Sequence, residues 1–337
     1  MLNSLQILRA VAAWMVVLHH FTQIFVDLQR DSWLVIFFWN YGALGVDLFF
    51  IISGFVIYYT TAGKSVLPGH FMLHRLGRIL PAYWLFTFLT ALLVYAFDDL
   101  IPLTKLEPGF LLTSLLFLPA ANPSGIGLYP LLTVGWTLNF EMMFYLIFCL
   151  SLFLPERYRL FGVALGIVFV QMGLSELGGS FAFYSSKLIY EFLIGIVVAV
   201  LYRAGWIERI NLPLAIAMGI ASLVLIAAKE YGYAYFKIGI PLIVIAVISQ
   251  ENHFWRLKRM SVLGDWSYST YLCHALVLSI IYRAASAWQL NPHNALAAAC
   301  IVIVLISWLS YTIIERNISA LIKQKLQTRQ NLAFRVS

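Results

Sequence analysis

Two polar side chains, Arg9 and His20, lie in the first apolar stretch of the chain, residues 5–26. Because an α-helix turns about 100° per residue, they fall within about 20° of one helix face, about 16 Å apart along the axis. A neutral imidazole can take a proton from a hydroxyl group, and a charge inside a membrane needs a partner or a water-filled cavity. The pair therefore predicts an intramembrane site with His20 as general base. The alternative is that Arg9 reaches the lipid headgroups while His20 bonds a backbone carbonyl group.

The second apolar stretch carries Asp47 and Ser53. A carboxylate deep in a span is costly unless it is paired, so Asp47 is a candidate for lining a cavity. A structural ion pair or a helix N-cap is the alternative. Ser53 is a second candidate, although a serine followed by glycine is also typical of close helix contacts.

Arg75 and Arg78 stand where the predicted third span enters the membrane. Residues three apart share one helix face, and two guanidinium groups there can bind a phosphate with several donors. The alternative is the ordinary excess of cationic residues beside anionic lipid. His70 and His74 have the spacing of metal ligands, but no third ligand is evident, so we expect no metal.

Glu141 lies in the outer half of the predicted fourth span, at a depth comparable to that of His20. A carboxylate there can orient the imidazole or stabilise its protonated form. The alternative is that Glu141 pairs with another buried cation. Further candidates for lining the same cavity are Trp136, Asn139, Tyr271 and His274.

The composition excludes a soluble globular protein. Of the 337 residues, 62% are hydrophobic and 11% are charged, whereas soluble domains carry about 25% charged residues. The net charge of +7 lies in predicted loops, so we expect membrane lipid and no nucleic acid as a partner. The cysteines Cys149, Cys273 and Cys300 lie in apolar stretches, which indicates packing and no disulfide framework.

Hydropathy predicts an all-α, polytopic transmembrane helical bundle of about ten spans. We place them near 5–27, 34–60, 79–98, 132–154, 160–177, 186–203, 212–228, 232–250, 263–283 and 294–315. Most Lys and Arg residues fall in the loops of one side, which puts both termini in the cytoplasm. Lys237 is among the few that we assign to the outer side. Two loops are long, 61–78 on the cytoplasmic side and 97–131 on the outer side. The sequence thus predicts a transmembrane domain, 1–316, and a basic cytoplasmic tail, 317–337.

The motifs together resemble acyltransferase family 3, the integral-membrane O-acyltransferases, and are most similar to its exopolysaccharide acetyltransferase branch. The matching stretches are Arg9 with His20, 45–55, 75–84, 136–141, 263–274 and Glu315-Arg316. They run in the family's order across nearly the whole chain. Each motif alone is weak, whereas the ordered set is highly specific.

The resemblance implies a ten-span fold and acyl transfer from a cytoplasmic acyl-CoA, with acetyl-CoA as the expected donor. The expected acceptor is a hydroxyl group of a glycan or of its lipid-linked precursor. Arg9 and His20 become the essential pair, and Glu141 a catalytic carboxylate. Arg75 and Arg78, together with Arg9, are expected to contact the phosphates of the donor. We expect a multi-pass protein of the bacterial cytoplasmic (inner) membrane, and a homo-oligomer is one option that the sequence leaves open.

The chain departs from the family pattern at a few positions. Ala10 replaces the usual glycine, Thr137 replaces the usual serine, Met142 replaces a second acid, and Asn317 stands where proline is common. None of these changes removes a proposed chemical group. They bear on substrate and packing more than on the reaction type.

Two other functions use the same residue types. Buried Arg, His, Asp and Glu also suit the proton relay of a proton-coupled transporter. Such a carrier should show two related halves with broken helices, and the sequence shows no internal repeat. A non-catalytic scaffold in polysaccharide assembly would tolerate the loss of His20. The sequence therefore favours the O-acyltransferase.

Overall fold

A computed structural model of the chain describes residues 2–25, 32–97, 100–228, 233–318, 320–321 and 324. Its regular structure is helical, and no strand occurs in these ranges. The α-helices are α1 (Asn3–Ile24), α2 (Trp33–Tyr41), α3 (Leu44–Thr61), α4 (Pro68–Ala96), α5 (Pro108–Leu115), α6 (Trp136–Ser151), α7 (Glu156–Val168), α8 (Glu191–Arg203), α9 (Leu212–Ala227), α10 (Tyr233–Ser249), α11 (Glu251–Phe254), α12 (Lys258–Trp288) and α13 (Pro292–Ser310). Short 3-10 segments are Thr133–Gly135, Leu174–Leu177, Gly179–Ser185, Lys187–Tyr190, Ile207–Arg209 and Trp255–Leu257, and π-helical turns are Phe169–Gly173 and Tyr311–Glu315.

The helices have the length and composition of membrane spans. Within the described residues, 7 helical segments are long and apolar enough to cross a membrane, and up to 8 if the bent pair Gly179–Ser185 and Lys187–Arg203 counts as one span. Two shorter apolar helices, Leu212–Ala227 and Phe236–Ser249, coincide with predicted spans. The prediction of an all-α, multi-pass membrane bundle is confirmed. The number of ten spans and the side of the termini stay predictions, and most of the predicted tail 317–337 lies outside the described residues.

The predicted span 34–60 is wrong in its extent. It is interrupted, because α2 ends at Tyr41 and α3 begins at Leu44. A Cβ placed on Gly42, between the two helices, would lie 2.6 Å from the Cβ of His19. The connecting turn therefore packs directly against α1, and only glycine leaves room for that approach.

α4 is longer than the predicted third span, which we started at residue 79. α4 begins at Pro68, inside the predicted loop 61–78. Proline suits the first turn of a helix, since its missing N–H group would have no helical partner there. Hydropathy missed this turn because His and Arg lower the average of the segment. Arg75 and Arg78 therefore lie on α4 itself. In the predicted outer loop 97–131, the short helix α5 was missed as well.

The described residues form two compact units. The first unit comprises the described residues of Met1–Ala62 and Lys187–Tyr271. In this unit α1, α3, α8 and α10 share one apolar core. The second unit comprises the described residues of Gly63–Ser186 and Leu272–Ser337.

Glycines allow the closest helix contact of the first unit, between α3 and α8. A Cβ on Gly54 would collide with the backbone of Phe192, and a Cβ on Gly195 would collide with the backbone of Ile51. Small residues are typical of helix contacts in membranes, where packing replaces the hydrophobic effect as the driving force. The two helices therefore touch backbone to backbone.

In the second unit, α4 and α6 run antiparallel. The thiol of Cys149, near the end of α6, lies 3.4 Å from the carbonyl oxygen of Pro68, at the start of α4. At the other end, a Cβ on Gly135 would lie 2.7 Å from the ring of Tyr83. The Tyr83 hydroxyl donates to the carbonyl oxygen of Ser114, 2.9 Å away, and so ties α4 to α5.

The glycine contact predicts the effect of one added methyl group. Gly195→Ala should lower the free energy of unfolding by about 1–3 kcal/mol, because the Cβ overpacks the backbone of α3. Thermal unfolding of the detergent-solubilised protein measures this effect. The matched control is Gly69→Ala, where nothing lies within 4 Å of the added Cβ, and it should leave the melting temperature unchanged or slightly raised. Equal melting temperatures for both variants would contradict the close contact.

Candidate functional site

Arg9 and His20 both lie on α1, which runs without interruption from Asn3 to Ile24. The prediction that one helix carries both side chains is confirmed. Arg9 is 7% exposed, and its Nη1 donates to Oε1 of Gln6 at 2.9 Å. His20 is half-buried. One continuous helix therefore fixes the spacing of the guanidinium and the imidazole.

The hydrogen bond of His20 defines its basic nitrogen. Nδ1 lies 3.1 Å from the carbonyl oxygen of Val16, four residues earlier on α1. A carbonyl oxygen only accepts, so Nδ1 carries the proton of the neutral ring and the basic lone pair is on Nε2. The backbone contact that we considered as the alternative is thus present. This contact orients the ring, with Nε2 on the side of the ring away from the Val16 carbonyl group.

The adjacent His19 has a different environment. Its Nδ1 lies 3.0 Å from the carbonyl oxygen of Phe38, and its Nε2 lies 3.1 Å from Nε2 of Gln23. Nδ1 donates to the carbonyl group, and Nε2 accepts from the amide. Both ring nitrogens are engaged, and the contact ties α2 to α1. His19 thus has a structural role, and the role of His20 as base stays a prediction.

Asp47 belongs to a buried charge cluster. The Nζ atom of Lys237 lies 2.5 Å from Oδ1 of Asp47 and also pairs with Glu191. The ion pair that we considered as the alternative for Asp47 is therefore present. Lys237, which we assigned to the outer side, lies within α10, between carboxylates of α3 and α8. A lysine in an apolar helix needs such partners, since lipid cannot stabilise its charge.

Two other predicted lining residues belong to the first unit. Ser53 is half-buried on α3, directly before the glycine that touches α8. Tyr271 is buried on α12, and its ring packs edge-to-face against Phe49, with the centroids 5.8 Å apart. Their role in lining a cavity stays a prediction.

In the second unit, Arg75 contacts an aromatic pair. Its guanidinium carbon lies 5.5 Å from the ring centroid of Phe71 and 5.6 Å from that of Tyr145. The hydroxyl of Tyr145 donates to the carboxylate of Glu141. Arg75, Tyr145 and Glu141 thus form one cluster between α4 and α6. We missed Tyr145 in the sequence, although its position four residues after Glu141 on one helix was the available signal.

The register of α4 and α6 places Glu141 at the level of the turn that carries Arg75 and Arg78. Phe71 lies opposite Tyr145, and farther along the antiparallel pair Gly135 meets the ring of Tyr83. We predicted Glu141 in the outer half of the fourth span and the arginines where the third span enters the membrane, and these contacts bring them to the same level of the helix pair. No carboxylate of the described residues lies within 4.0 Å of the Arg75 or Arg78 guanidinium. Such a pair of guanidinium groups can bind phosphate.

The remaining predicted lining residues lie on α6 and on the part of α12 that belongs to the second unit. Trp136 is half-buried, with its ring 6.0 Å from that of Phe140. His274 is fully buried. Asn139 is 1% exposed, and neither polar atom of its amide has a hydrogen-bond partner within the described residues. A buried amide without a partner normally indicates bound water or a ligand, so Asn139 has the best support as a lining residue.

The candidate residues thus fall into two sets. The first unit holds Arg9, His20, Asp47, Ser53 and Tyr271, and the second holds Arg75, Arg78, Trp136, Asn139, Glu141 and His274. The predicted action of Glu141 on His20 stays a prediction. No group of three or more His, Cys, Asp or Glu side chains in the described part of the chain is placed to hold a metal ion.

Removal of the shared lysine tests the charge cluster. Lys237→Met should destabilise the protein by about 3–5 kcal/mol, because it leaves two buried carboxylates without a counter-charge. The melting temperature in detergent measures the loss, with Lys64→Met at an exposed position as the matched control. Adding Asp47→Asn and Glu191→Gln to Lys237→Met should restore much of the stability. If the triple variant is no more stable than the single one, the carboxylates are not the cause.

Comparison with known proteins identifies the family. Residues 2–312 match the family described as "Acyltransferase domain". The exopolysaccharide production protein ExoZ of Rhizobium meliloti (strain 1021) is 34% identical, over 82% of this chain and 89% of its own length. The acyltransferase MdmB of Streptomyces mycarofaciens is 27% identical, over 93% of this chain and 90% of its own. No solved structure matches the chain. With nearly its whole length inside the domain, the chain belongs to acyltransferase family 3.

Proposed function

We propose that the protein is a membrane O-acyltransferase that moves an acetyl group from acetyl-CoA to a hydroxyl group of an exopolysaccharide or of its lipid-linked precursor. Membership of the acyltransferase family supports acyl transfer. The similarity to an exopolysaccharide production protein supports a glycan acceptor. The observation that carries the chemistry is the hydrogen bond from His20 to the Val16 carbonyl group, because it assigns the basic lone pair to Nε2.

In the proposed reaction, Nε2 of His20 takes the proton of the acceptor hydroxyl. The hydroxyl oxygen attacks the thioester carbonyl carbon, the C–S bond breaks, and the imidazolium returns its proton to the leaving CoA thiolate. A positioned base of this kind contributes about 10²–10⁴-fold to the rate. Glu141 is proposed to stabilise the imidazolium. In the alternative route, Nε2 attacks the thioester carbonyl carbon, the C–S bond breaks and CoA leaves as the thiolate. The acceptor hydroxyl oxygen then takes the acetyl group from the acetyl-histidine, and its proton passes to the thiolate.

The proposed donor site uses the arginines. Arg75 and Arg78 bind the phosphates of acetyl-CoA, with Arg9 as a third phosphate contact. The aromatic rings under Arg75 support this role, because they hold the guanidinium plane without neutralising its charge. The proposed location is the bacterial cytoplasmic membrane, with the donor supplied from the cytoplasm. A proton-coupled transporter is less well supported, since acyl transfer is the activity of the family.

Replacement of the base separates catalysis from folding. His20→Gln removes the titratable nitrogen and keeps an amide that can donate to the Val16 carbonyl group. Acceptor-dependent release of CoA by membranes should fall at least about 100-fold. NMR of the cell's exopolysaccharide should show the loss of O-acetyl groups. His19→Gln is the matched control, and it should retain activity within about tenfold, because both nitrogens of His19 have structural partners. O-acetylation at the wild-type level in His20→Gln cells would exclude His20 as base.

A trapping experiment decides between the two routes. Purified protein is incubated with radiolabelled acetyl-CoA in the absence of acceptor, and protein-bound label is measured after denaturation. Label that disappears in His20→Gln supports the acetyl-histidine. No bound label in an enzyme that releases CoA with acceptor present supports direct transfer.

The donor site predicts a selective change in KM. Arg75→Ala or Arg78→Ala should raise the KM for acetyl-CoA about 10–100-fold, because each removes charge-assisted hydrogen bonds to phosphate. The KM for S-acetyl-N-acetylcysteamine, which has no phosphate, should change little. Arg157→Ala is the matched control, since Arg157 also lies over an aromatic ring, that of Tyr158, at 4.7 Å. An equal rise in KM for both donors would argue against phosphate binding.

A further inference from the structure

A row of hydrogen bonds connects Arg9 on α1 to Asp265 on α12. Nη1 of Arg9 donates to Oε1 of Gln6 at 2.9 Å, and Nε2 of Gln6 donates to Oδ1 of Asp265. A guanidinium only donates and a carboxylate only accepts, so the orientation of the amide between them is determined. The Gln6 oxygen faces the arginine, and the NH₂ group faces the aspartate. An amide can serve both partners at once, because it has an acceptor oxygen and a donor NH₂ group.

Protein encloses Arg9 and Gln6, whereas Asp265 is half-buried. Arg9 and Gln6 are 7% and 8% exposed. Next to Asp265, a Cβ on Gly264 would collide with the backbone oxygen of Gln6. α12 therefore touches the backbone of α1 at Gln6. This contact fixes the distance across which the carboxylate reaches the amide.

Separate hydrogen bonds hold the backbone of α1 at its first turn. The carboxylate of Glu251, at the start of α11, accepts from the backbone N–H of Asn3 at 2.7 Å and of Ser4 at 2.9 Å. Anionic groups stabilise the positive end of a helix dipole. Because these hydrogen bonds already anchor the first turn, the position of the helix does not depend on the Gln6 side chain alone. The hydrogen bonds of Gln6 therefore act on the Arg9 side chain.

We propose that Gln6 and Asp265 are positioning residues, which hold the Arg9 guanidinium in the orientation that binds a phosphate of the acyl donor. This inference rests on the proposed function, in which Arg9 contacts the donor. A long arginine side chain loses rotamer freedom when it binds. A guanidinium already held by a neutral amide has lost part of that freedom beforehand, and the amide adds no opposing charge. The carboxylate of Asp265 fixes the amide in turn.

The test measures binding of acetyl-CoA to the full-length protein in lipid nanodiscs. Gln6→Met keeps the size of the side chain and removes both hydrogen bonds, and it should weaken the affinity about tenfold. In the Arg9→Ala background the same substitution should have no further effect, because Gln6 acts through Arg9. The matched control is Gln171→Met, where the lost amide donates to the Ser185 carbonyl group at 2.8 Å. It should leave the affinity unchanged.

An exchange of the two groups provides a rescue. Gln6→Glu alone should weaken binding, because it places two carboxylates against each other. Combined with Asp265→Asn, it again offers an acceptor to Arg9 and a donor to that acceptor. Binding should then be stronger than in Gln6→Glu alone, although the charge beside Arg9 keeps it below wild type.

Two results overturn the inference in different ways. If Gln6→Met weakens binding equally with and without Arg9, Gln6 acts on the fold, and the proposed function stands without this positioning role. If Arg9→Ala itself leaves the affinity for acetyl-CoA unchanged, the donor role of Arg9 in the proposed function fails and the inference fails with it. If Gln6→Glu with Asp265→Asn is folded but binds acetyl-CoA no better than Gln6→Glu alone, the proposed row of hydrogen bonds is also contradicted.

Discussion

Lipid offers no hydrogen-bond partner to a polar group, and this constraint governs how the helices pack. Hydroxyl groups find a partner within their own helix, as Thr61 and Thr90 do by donating to the carbonyl oxygen four residues earlier. Lys237 finds its partners in carboxylates on two other helices, Asp47 and Glu191. A buried charge of this kind determines which helices must be neighbours, whereas a hydroxyl group does not. The charge cluster therefore specifies the arrangement of α3, α8 and α10 more strongly than their apolar surfaces do.

Besides partners for polar groups, the packing requires a close approach of the helices to one another, because van der Waals contact increases as backbones come together. α1 has both kinds of contact, close backbone packing and hydrogen bonds to polar groups. Gly45 packs on the backbone of Ala12, and Gly264 packs on that of Gln6. Glu251 caps the first turn. α1 is thus fixed by neighbours from three parts of the sequence, which suits the helix that carries the candidate base.

Features that depend on local sequence could be predicted, and partners distant in sequence could not. A continuous apolar run was enough to predict α1, and the geometry of one helix then relates Arg9 to His20. No local pattern pairs Lys237 with Asp47, because 190 positions separate them. Hydropathy also failed at the start of α4, where cationic residues lower the average although Phe71 on the same turn is buried. The types of side chain at the candidate site could therefore be predicted from the sequence. The hydrogen bonds that orient these side chains could not.

The adjacent histidines show how the fold assigns chemistry to one of two identical side chains. A helix separates neighbouring residues by about 100°, so the two rings face different surroundings. His19 faces α2, and its hydrogen bonds use both nitrogens. His20 directs Nδ1 to the Val16 carbonyl group of its own helix, so the orientation of its ring follows α1. Whatever fixes α1 therefore also fixes the direction of Nε2. The backbone contact between Gly264 and Gln6 and the hydrogen bonds of Glu251 lie at the opposite end of the helix. They therefore contribute to the placement of the base without touching it.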